Sequence, residues 1–231
     1  MNQTTSTSNN NAHPNRTIGV FGGTFDPIHF GHLRTAFELM QAVNLDEVRF
    51  IPCGDPPHGK RTVATADQRF DMVELAVEAQ AGFVADDREI IRGGASYTVD
   101  TLESLRTEFP DASLCLILGM DAFLGLPSWH QWRRLLNLAN IIVAHRPGWR
   151  KPTDGRLQEI LRDQGTAFPG ELHWHHAGRI YIHAVTQLEI ASSRIRDLIQ
   201  SGYDARFLLP DKVNQKILDI ACYHQRDDSE E

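Results

Sequence analysis

The residues best suited to chemistry lie near the start of the chain, in the stretch that reads IGVFGGTFDPIHFGH. An apolar run ends in Gly22 and Gly23, and His29 and His32 follow three residues apart. A glycine turn between a strand and a helix presents backbone N–H groups to a phosphate, because a ligand can approach the backbone closely there. If the helix includes both histidines, their imidazoles share one face and can donate hydrogen bonds to phosphate oxygens. The stretch therefore predicts a phosphate site.

A second polar cluster precedes a predicted helix near the other end of the chain, where residues 190–196 read IASSRIR. Ser192 or Ser193 is expected to be the helix N-cap, which leaves backbone amides and a hydroxyl for an anion. Arg194 and Arg196 add positive charge, and a guanidinium matches the geometry of phosphate. A capped surface helix with two solvated arginines explains the pattern equally well when it is taken alone. Its pairing with the first cluster favours the functional interpretation, with Arg194 on the solvent side.

Aromatic and polar residues in the middle of the chain suit a planar, charged ligand. Trp129 can stack on a heteroaromatic ring, with added cation–π attraction for a pyridinium; the alternative is a core tryptophan at a helix start. Asp121 can accept hydrogen bonds from ribose hydroxyls, or it is simply a turn acid. Tyr97 and Thr98 begin another predicted helix, whose first amides suit a carboxylate. Ordinary helix capping is the alternative there.

Strand-like apolar runs alternate with helical patterns along the chain. The predicted strands are 18–21, 47–52, 83–85, 114–118, 141–144 and 180–184, and the predicted helices are 33–43, 67–80, 98–109, 129–138, 194–200 and 212–221. This alternation predicts an α/β fold: a doubly wound, Rossmann-like, mostly parallel sheet with helices on both faces and a C-terminal helical segment. Ligands of such sheets bind beyond the carboxyl ends of the strands, where the polar clusters fall. Residues 146–178 lack clear periodicity and predict a long connection or a small subregion.

Composition excludes several classes of protein. The chain has 231 residues, 41% of them hydrophobic, and a net charge of −7, so a broad surface for nucleic acid is not expected. No apolar run approaches the roughly 20 residues of a membrane span. Three scattered cysteines predict neither a disulfide scaffold nor a zinc site and fit a reducing, cytoplasmic compartment. Residues 1–16 lack the apolar segment of a secretory signal and predict a disordered tail, and 225–231 predict a polar C-terminal tail.

Two further patterns fail as sites. Residues 54–60 fit the first seven positions of a phosphate-binding P-loop, but the eighth is Arg61, where the loop needs Ser or Thr for magnesium. Two prolines also remove backbone donors that such a loop uses. Residues 173–176 read HWHH, which lacks the spacing of a metalloprotease helix and predicts surface histidines.

The two phosphate clusters together resemble the nucleotidylyltransferase superfamily. The stretch 18–32 carries its T/H-x-G-H signature, and the string GGTFDPIHFGH resembles the nicotinate-nucleotide adenylyltransferase family in particular. The cluster at 190–196 resembles the Ile-Ser-Ser-Thr-x-Ile-Arg motif that holds the triphosphate in this superfamily. Ala191 stands in place of its first serine and Ser193 in place of its threonine. The resemblance covers roughly residues 17–224 and implies a single nucleotidylyltransferase domain there.

The resemblance also implies the residues that bind each substrate. It implies His29, His32 and Arg196 as catalytic residues, with ATP bound by Gly22, Gly23, Thr24, Phe25, His29, His32, Ser192, Ser193 and Arg196. It implies Thr24, Lys60, Tyr97, Thr98, Asp121, Trp129 and His130 for nicotinate mononucleotide. Lys60 belongs to a loop that resembles the family's Pro-Pro-His-Lys, with Gly59 inserted before the lysine.

The implied activity is the transfer of AMP from ATP to nicotinate mononucleotide, giving nicotinate adenine dinucleotide (deamido-NAD) and pyrophosphate in NAD biosynthesis. The implied cofactor is Mg²⁺, held by ATP and water rather than by a cage of protein carboxylates. Alternatives are an enzyme of the same fold with phosphopantetheine or nicotinamide mononucleotide as acceptor, and a nucleotide-binding regulator without catalysis. The sequence leaves open the oligomeric state, including a homo-oligomer, and the strictness of the preference for nicotinate.

Overall fold

The computed structural model describes residues 16–56, 61–145, 152 and 154–224. Within them, seven strands form one sheet. The strands are β1 (Thr17–Gly23), β2 (Glu47–Pro52), β3 (Phe83–Ala85), β4 (Ser113–Gly119), β5 (Asn140–His145), β6 (Gly165–Thr166) and β7 (Ile180–Ala184). The predicted tails, up to residue 15 and from 225 onward, lie outside the described residues.

Helices connect the strands. They are α1 (Phe30–Val43), α2 (Ala66–Val77), α3 (Arg88–Arg92), α4 (Thr98–Glu108), α5 (Met120–Gly125), α6 (Trp132–Leu138), α7 (Gly155–Gln164), α8 (Glu171–Trp174), α9 (Ser192–Gln200) and α10 (Asp211–Asp219). A 3-10 turn, Leu126–Ser128, follows α5. No helix among the described residues is long and apolar enough to cross a membrane.

The strand order is β3-β2-β1-β4-β5-β7-β6, and every pair of neighbouring strands is parallel. The chain builds outward from β1 in one direction and then returns to place β4 on its other side. This switch leaves a crevice beyond the carboxyl ends of β1 and β4, where open α/β sheets bind ligands. The predicted α/β fold is confirmed.

Hydrophobic clusters cover both faces of the sheet. Side chains of β4 alternate between them, with Cys115 and Ile117 on one face and Leu114 and Leu116 on the other. The first cluster takes in α1, α2, α9 and α10, and the second takes in α4, α5, α6 and α7. Burial on both faces explains why the strands read as continuous apolar runs, which a parallel sheet requires.

Every predicted strand and helix has a counterpart. The bounds of β2, β3 and β7 are as predicted, and the ends of the other predicted elements are shifted. The helix predicted from residue 129 begins instead at Trp132, because Gln131 before it adopts a left-handed conformation with φ 49°. Residues 146–178 include α7, β6 and α8, so the small subregion rather than a plain connection is found among the described part of this stretch. The sequence pattern missed α7 because Leu157 is its one buried residue.

Candidate functional site

Two histidines lie at the start of α1, the helix that follows β1. The expected turn at Gly22 and Gly23 is wrong, because both are the last residues of β1 and pair with β2. His29 is the N-cap of α1, with extended backbone, and His32 lies in the first turn. The Nδ1 atom of His29 accepts a hydrogen bond from Gly31 N–H at 3.1 Å, and Nδ1 of His32 accepts one from His29 N–H at 3.3 Å. The helix therefore begins at Phe30, three residues before the predicted start at residue 33, because the two side chains form a reciprocal cap ahead of it.

This cap fixes the orientation and the tautomer of both imidazoles. Their rings stack, with centroids 3.7 Å apart and planes 26° from parallel. Because each Nδ1 accepts a backbone hydrogen bond, each neutral ring carries its proton on Nε2. Both rings can then offer an Nε2–H donor at the positive end of a helix dipole. Phe25, buried with its ring edge-on to His32 at 5.1 Å between centroids, supports this arrangement from the core.

The second phosphate cluster lies directly against the first. The Ser192 hydroxyl donates to the Pro27 carbonyl at 2.9 Å, and Nη1 of Arg196 donates to the Asp26 carbonyl at 2.7 Å. The partners of these two hydrogen bonds are separated by 165 and by 170 positions in the sequence. The fold thus brings the two clusters together, which agrees with their pairing in the sequence analysis. The expected serine N-cap is wrong: Ala191 is the N-cap of α9 and no side chain caps it, because the Ser192 hydroxyl is used across the interface.

Exposure separates the two arginines of α9. Arg196 is partly buried, with 23% of its side-chain surface exposed, whereas Arg194 and Ser193 are exposed. The expectation that Arg194 lies on the solvent side is confirmed. Arg196 is therefore the arginine that faces residues 24–28, the loop between β1 and the histidine pair, which we call the phosphate loop.

A cavity of about 480 Å³ lies beyond the carboxyl ends of β1 and β4. It brings together eight of the residues implied for the two substrates: Gly22, Gly23, Thr24, Tyr97, Thr98, Asp121, Trp129 and His130. Lys60 and the rest of its loop, residues 57–60, lie outside the described residues. Gly22, Gly23 and Thr24, at the carboxyl end of β1, line the cavity, and the chain leads from them to Asp26 and Pro27, which the second cluster contacts.

Aromatic rings form one wall of the cavity. The rings of Tyr97 and His130 lie 4.4 Å apart between centroids, at 34°. Trp129 follows the 3-10 turn, precedes α6, and is half-buried against the second hydrophobic cluster. Trp129 thus packs on the core, as the alternative interpretation expects, and it also lines the cavity, where its stacking on a ligand ring stays a prediction.

The N-terminus of α4 forms another side of the cavity. Tyr97 is the N-cap and no side chain caps this helix. The nearby hydroxyl of Ser96 instead accepts hydrogen bonds from Gly54 N–H at 2.9 Å and Asp55 N–H at 3.3 Å. Asp100 N–H donates to the Tyr97 carbonyl at 3.1 Å. The two amides before it, at Thr98 and Val99, have no acceptor within the helix and can serve an anionic ligand.

Sequence reasoning missed a buried acid on the cavity wall. Glu89, in α3, is 6% exposed and accepts a 2.5 Å hydrogen bond from the Thr101 hydroxyl. Burial raises the pKa of this carboxyl above its ordinary value. Arg69 is fully buried and donates to the carbonyls of Thr24 at 2.8 Å and Gly54 at 3.2 Å. It thereby joins the residues that follow β1 and β2. Neither residue belongs to a local motif, so no sequence signal marks them.

Across the described residues, no group of three or more His, Cys, Asp or Glu side chains is arranged to hold a metal ion. The carboxylate within the phosphate loop, Asp26, accepts hydrogen bonds from Val63 N–H, Ala64 N–H and the Tyr223 hydroxyl at 2.9, 3.1 and 2.7 Å. It is 3% exposed. Its oxygens are thus used within the protein, which makes it a structural acceptor.

Comparison with known proteins gives concordant matches. The model of the cytidylyltransferase-like family matches residues 20–198. A protein of Methylococcus capsulatus named probable nicotinate-nucleotide adenylyltransferase is 47% identical over 201 residues, which cover 87% of this chain and 96% of the relative. A protein of the same name from Halorhodospira halophila is 45% identical over 210 residues, which cover 91% of this chain and 96% of the relative.

Solved structures share the fold. The nicotinic acid mononucleotide adenylyltransferase of Plasmodium falciparum complexed with NaAD superposes with a TM-score of 0.70 at 17% identity, covering 90% of this chain and 97% of that one. The same protein complexed with APC gives a TM-score of 0.67 at 16% identity, covering 90% and 97%. At this identity the likeness concerns the fold alone.

Proposed function

The chain belongs to the nicotinate-nucleotide adenylyltransferase family, and from this premise we propose that it transfers AMP from ATP to nicotinate mononucleotide. The products are nicotinate adenine dinucleotide (deamido-NAD) and pyrophosphate, in NAD biosynthesis. The observation that carries the proposal is one of geometry. A cavity lined by aromatic rings lies beside the N-terminus of α4, which no side chain caps. Gly22 and Gly23, at the end of β1, line the same cavity and lead to the loop that Arg196 contacts and that His29 follows.

The chemistry requires positioning and charge stabilisation rather than a covalent protein nucleophile. A phosphate oxygen of the mononucleotide attacks the α-phosphorus of ATP in line. The new P–O bond forms as the bond to the bridging α–β oxygen breaks, and pyrophosphate leaves with that electron pair. Negative charge develops on the α-phosphoryl oxygens and on the leaving group, and preorganised N–H donors stabilise it.

The donors near the phosphate loop suit that task. We propose that the Nε2–H groups of His29 and His32, the Arg196 guanidinium and the Ser193 hydroxyl contact the phosphates of ATP. The backbone at Gly22 and Gly23 allows the close approach that reaction needs, because no side chain stands there. Ser192 would contribute through its place in the first turn of α9, since its hydroxyl is bonded to Pro27.

The acceptor would occupy the cavity. Trp129 would stack on the pyridine ring, the first amides of α4 at Tyr97 and Thr98 would bind the nicotinate carboxylate, and Asp121 would accept from ribose hydroxyls. The family resemblance adds Thr24, His130 and Lys60, the last from outside the described residues. The cavity's size supports this: about 480 Å³ lies within the range of small-molecule sites.

Mg²⁺ would accompany ATP. The groups that face the phosphates are N–H and O–H donors, and Asp26 is already satisfied by three donors. Phosphate oxygens and water would therefore supply most of the ion's ligands, as is common for magnesium. The ion would neutralise charge on the leaving pyrophosphate.

We further propose that residues 17–224 act as one domain, since strands from Thr17 to Ala184 share one sheet. Three free cysteines suit a cytoplasmic, reducing setting.

A pyrophosphate-release assay with Mg-ATP tests the function against a panel of acceptors: nicotinate mononucleotide, nicotinamide mononucleotide, phosphopantetheine and phosphocholine. We expect the fastest release with nicotinate mononucleotide and a product with the mass of nicotinate adenine dinucleotide. Faster release with phosphopantetheine, or none with any acceptor, would contradict the proposal.

A further inference from the structure

The carboxylate of Asp26 gathers distant segments of the chain beside the phosphate loop. Its Oδ2 accepts from Val63 N–H, and its Oδ1 accepts from both Ala64 N–H and the hydroxyl of Tyr223. The contact with Tyr223 spans 197 positions in sequence, and both partners are almost fully buried, at 3% and 2% exposure. The C-terminal end of the described chain is thereby connected to the loop that precedes His29.

Arg196 meets the same residue but is only loosely paired with its charge. Its Nη1 donates to the Asp26 carbonyl at 2.7 Å, whereas the carboxylate Oδ2 lies 3.8 Å away. Among the described residues, Nη1 is the one atom of this guanidinium with a protein partner. Three other donors satisfy the carboxylate, one at Oδ2 and two at Oδ1. The carboxylate therefore depends less on the arginine charge, and most of the guanidinium is left for an anion.

The chain adopts a costly backbone conformation where it delivers Tyr223. Beyond α10, Ala221 has φ 48° and Tyr223 has φ 70°, the left-handed region that residues with side chains rarely adopt. Such conformations persist where surrounding contacts over-determine them. Burial, and then the charge of Asp26, raise the pKa of Tyr223 above its ordinary value, so the hydroxyl keeps its proton and remains a donor.

We propose that Tyr223 is a positioning residue for the phosphate site: its hydroxyl, bonded to Oδ1, helps satisfy the charge of the Asp26 carboxylate whose Oδ2 lies nearest Arg196, and so keeps Arg196 available for the triphosphate of ATP. Without this hydroxyl, a buried carboxylate oxygen loses a donor, which is unfavourable. Arg196, the cation beside it, then closes its ion pair with Asp26 and withdraws from ATP. The inference rests on the proposed function in taking ATP as the ligand of Arg196.

The test compares Tyr223→Phe with Tyr203→Phe, a matched control whose ring is 67% exposed. We expect Tyr223→Phe to lower kcat/KM for ATP and weaken calorimetric ATP binding by about tenfold, a 1.4 kcal/mol effect. KM for nicotinate mononucleotide should stay within about twofold, and Tyr203→Phe should match wild type. In an Arg196→Ala background, which has no cation to close on Asp26, Tyr223→Phe should change ATP affinity by less than about twofold, because coupled residues are not additive.

Several results would overturn the proposal. They are unchanged ATP affinity in Tyr223→Phe, an equal loss in both Arg196 backgrounds, or a similar loss for both substrates. A Tyr223→Phe protein that melts below the assay temperature also counts against it, since the hydroxyl would then serve folding. If wild type binds ATP but releases no pyrophosphate with nicotinate mononucleotide, the proposed function fails, while the ATP affinities still decide the role of Tyr223.

Discussion

The two halves of the candidate site are held in different ways. In the phosphate half, hydrogen bonds to backbone fix the side chains: His29 and His32 cap α1 reciprocally, and Arg196 is bonded to a carbonyl of the loop. In the acceptor half, packing holds the side chains, as with the rings of Tyr97 and His130, whose centroids lie 4.4 Å apart. Hydrogen bonds set the direction of each group in the first half, whereas packing sets the direction of the rings in the second half less strictly.

This difference separates rate from affinity. Donors held in fixed directions stabilise charge that appears only in the transition state, so losing one lowers kcat. Stacking surfaces contact ground state and transition state alike, so losing one mainly raises KM. We therefore expect substitution of the histidines in the phosphate half to act mainly on turnover, and substitutions in the acceptor half to act mainly on binding of the mononucleotide.

The largest effect is expected from His32→Ala. Removing one preorganised donor to a developing anion costs on the order of 10²–10³ in kcat. The lost cap should lower stability by only about 0.5–2 kcal/mol. Steady-state kinetics and thermal melts, with the exposed His176→Ala as control, separate the two effects. Near-normal turnover, or inactivity explained by unfolding, would show that the histidine pair is structural.

A smaller loss is expected from Arg196→Lys, which keeps the charge but removes the planar fork that matches phosphate. We expect about a tenfold lower kcat/KM for ATP, since each 1.4 kcal/mol is a factor of ten. Arg194→Ala should change it little, because Arg194 is exposed on the opposite side of α9. If Arg194→Ala lowers kcat/KM for ATP more than Arg196→Lys does, the assignment of the Arg196 face of α9 to ATP is wrong.

In the acceptor half, Trp129→Ala should raise KM for both nicotinate and nicotinamide mononucleotides by similar factors. Stacking is worth about 1–3 kcal/mol per ring and is indifferent to the ring's substituent. The exposed Trp174→Ala serves as control. A fall in kcat at unchanged KM would contradict the assignment of Trp129 to acceptor binding.

The smallest effect concerns Glu89, whose pKa is raised by burial above its ordinary 4.5. Below the ordinary value both folded and unfolded states hold the proton, and as pH rises toward the raised value only the folded state keeps it. Wild-type stability therefore falls across that interval. Glu89→Gln, which keeps an oxygen for Thr101, should gain melting temperature relative to wild type as pH rises above the ordinary value of 4.5. Parallel melting curves would contradict this.

The sheet could be predicted because its strands are buried on both faces and so read as unbroken apolar runs. Long helices were predictable for a similar reason: Val99, Leu102 and Leu105 recur at helical spacing and are fully buried. Short helices such as α3 and α8 carry too few residues for a period to register. Their positions depend on tertiary contacts that no local pattern contains.

Contacts between distant residues explain the wrong expectations. The predicted surface position of His173 is wrong, since it is 2% exposed and bonds the Thr17 hydroxyl and the Val43 carbonyl, each at 2.7 Å. These partners lie 156 and 130 positions away. The role of Ser192 was mistaken likewise, because its partner Pro27 belongs to the other motif. Local chemistry marks which residues can bind phosphate, and the fold decides which of them also brace one another.

The most direct test of the division between the two halves is the ratio of kcat/KM for nicotinate and nicotinamide mononucleotides, measured side by side with wild type at saturating ATP. The first amides of α4 are donors and match a carboxylate, whereas a carboxamide can turn its NH₂ group toward them, a mismatch worth about 1–3 kcal/mol per group. We expect a preference for nicotinate mononucleotide of at least about tenfold. Equal efficiency would mean that the helix N-terminus at Tyr97 and Thr98 does not select the acceptor, and the assignment of the acceptor half would be contradicted.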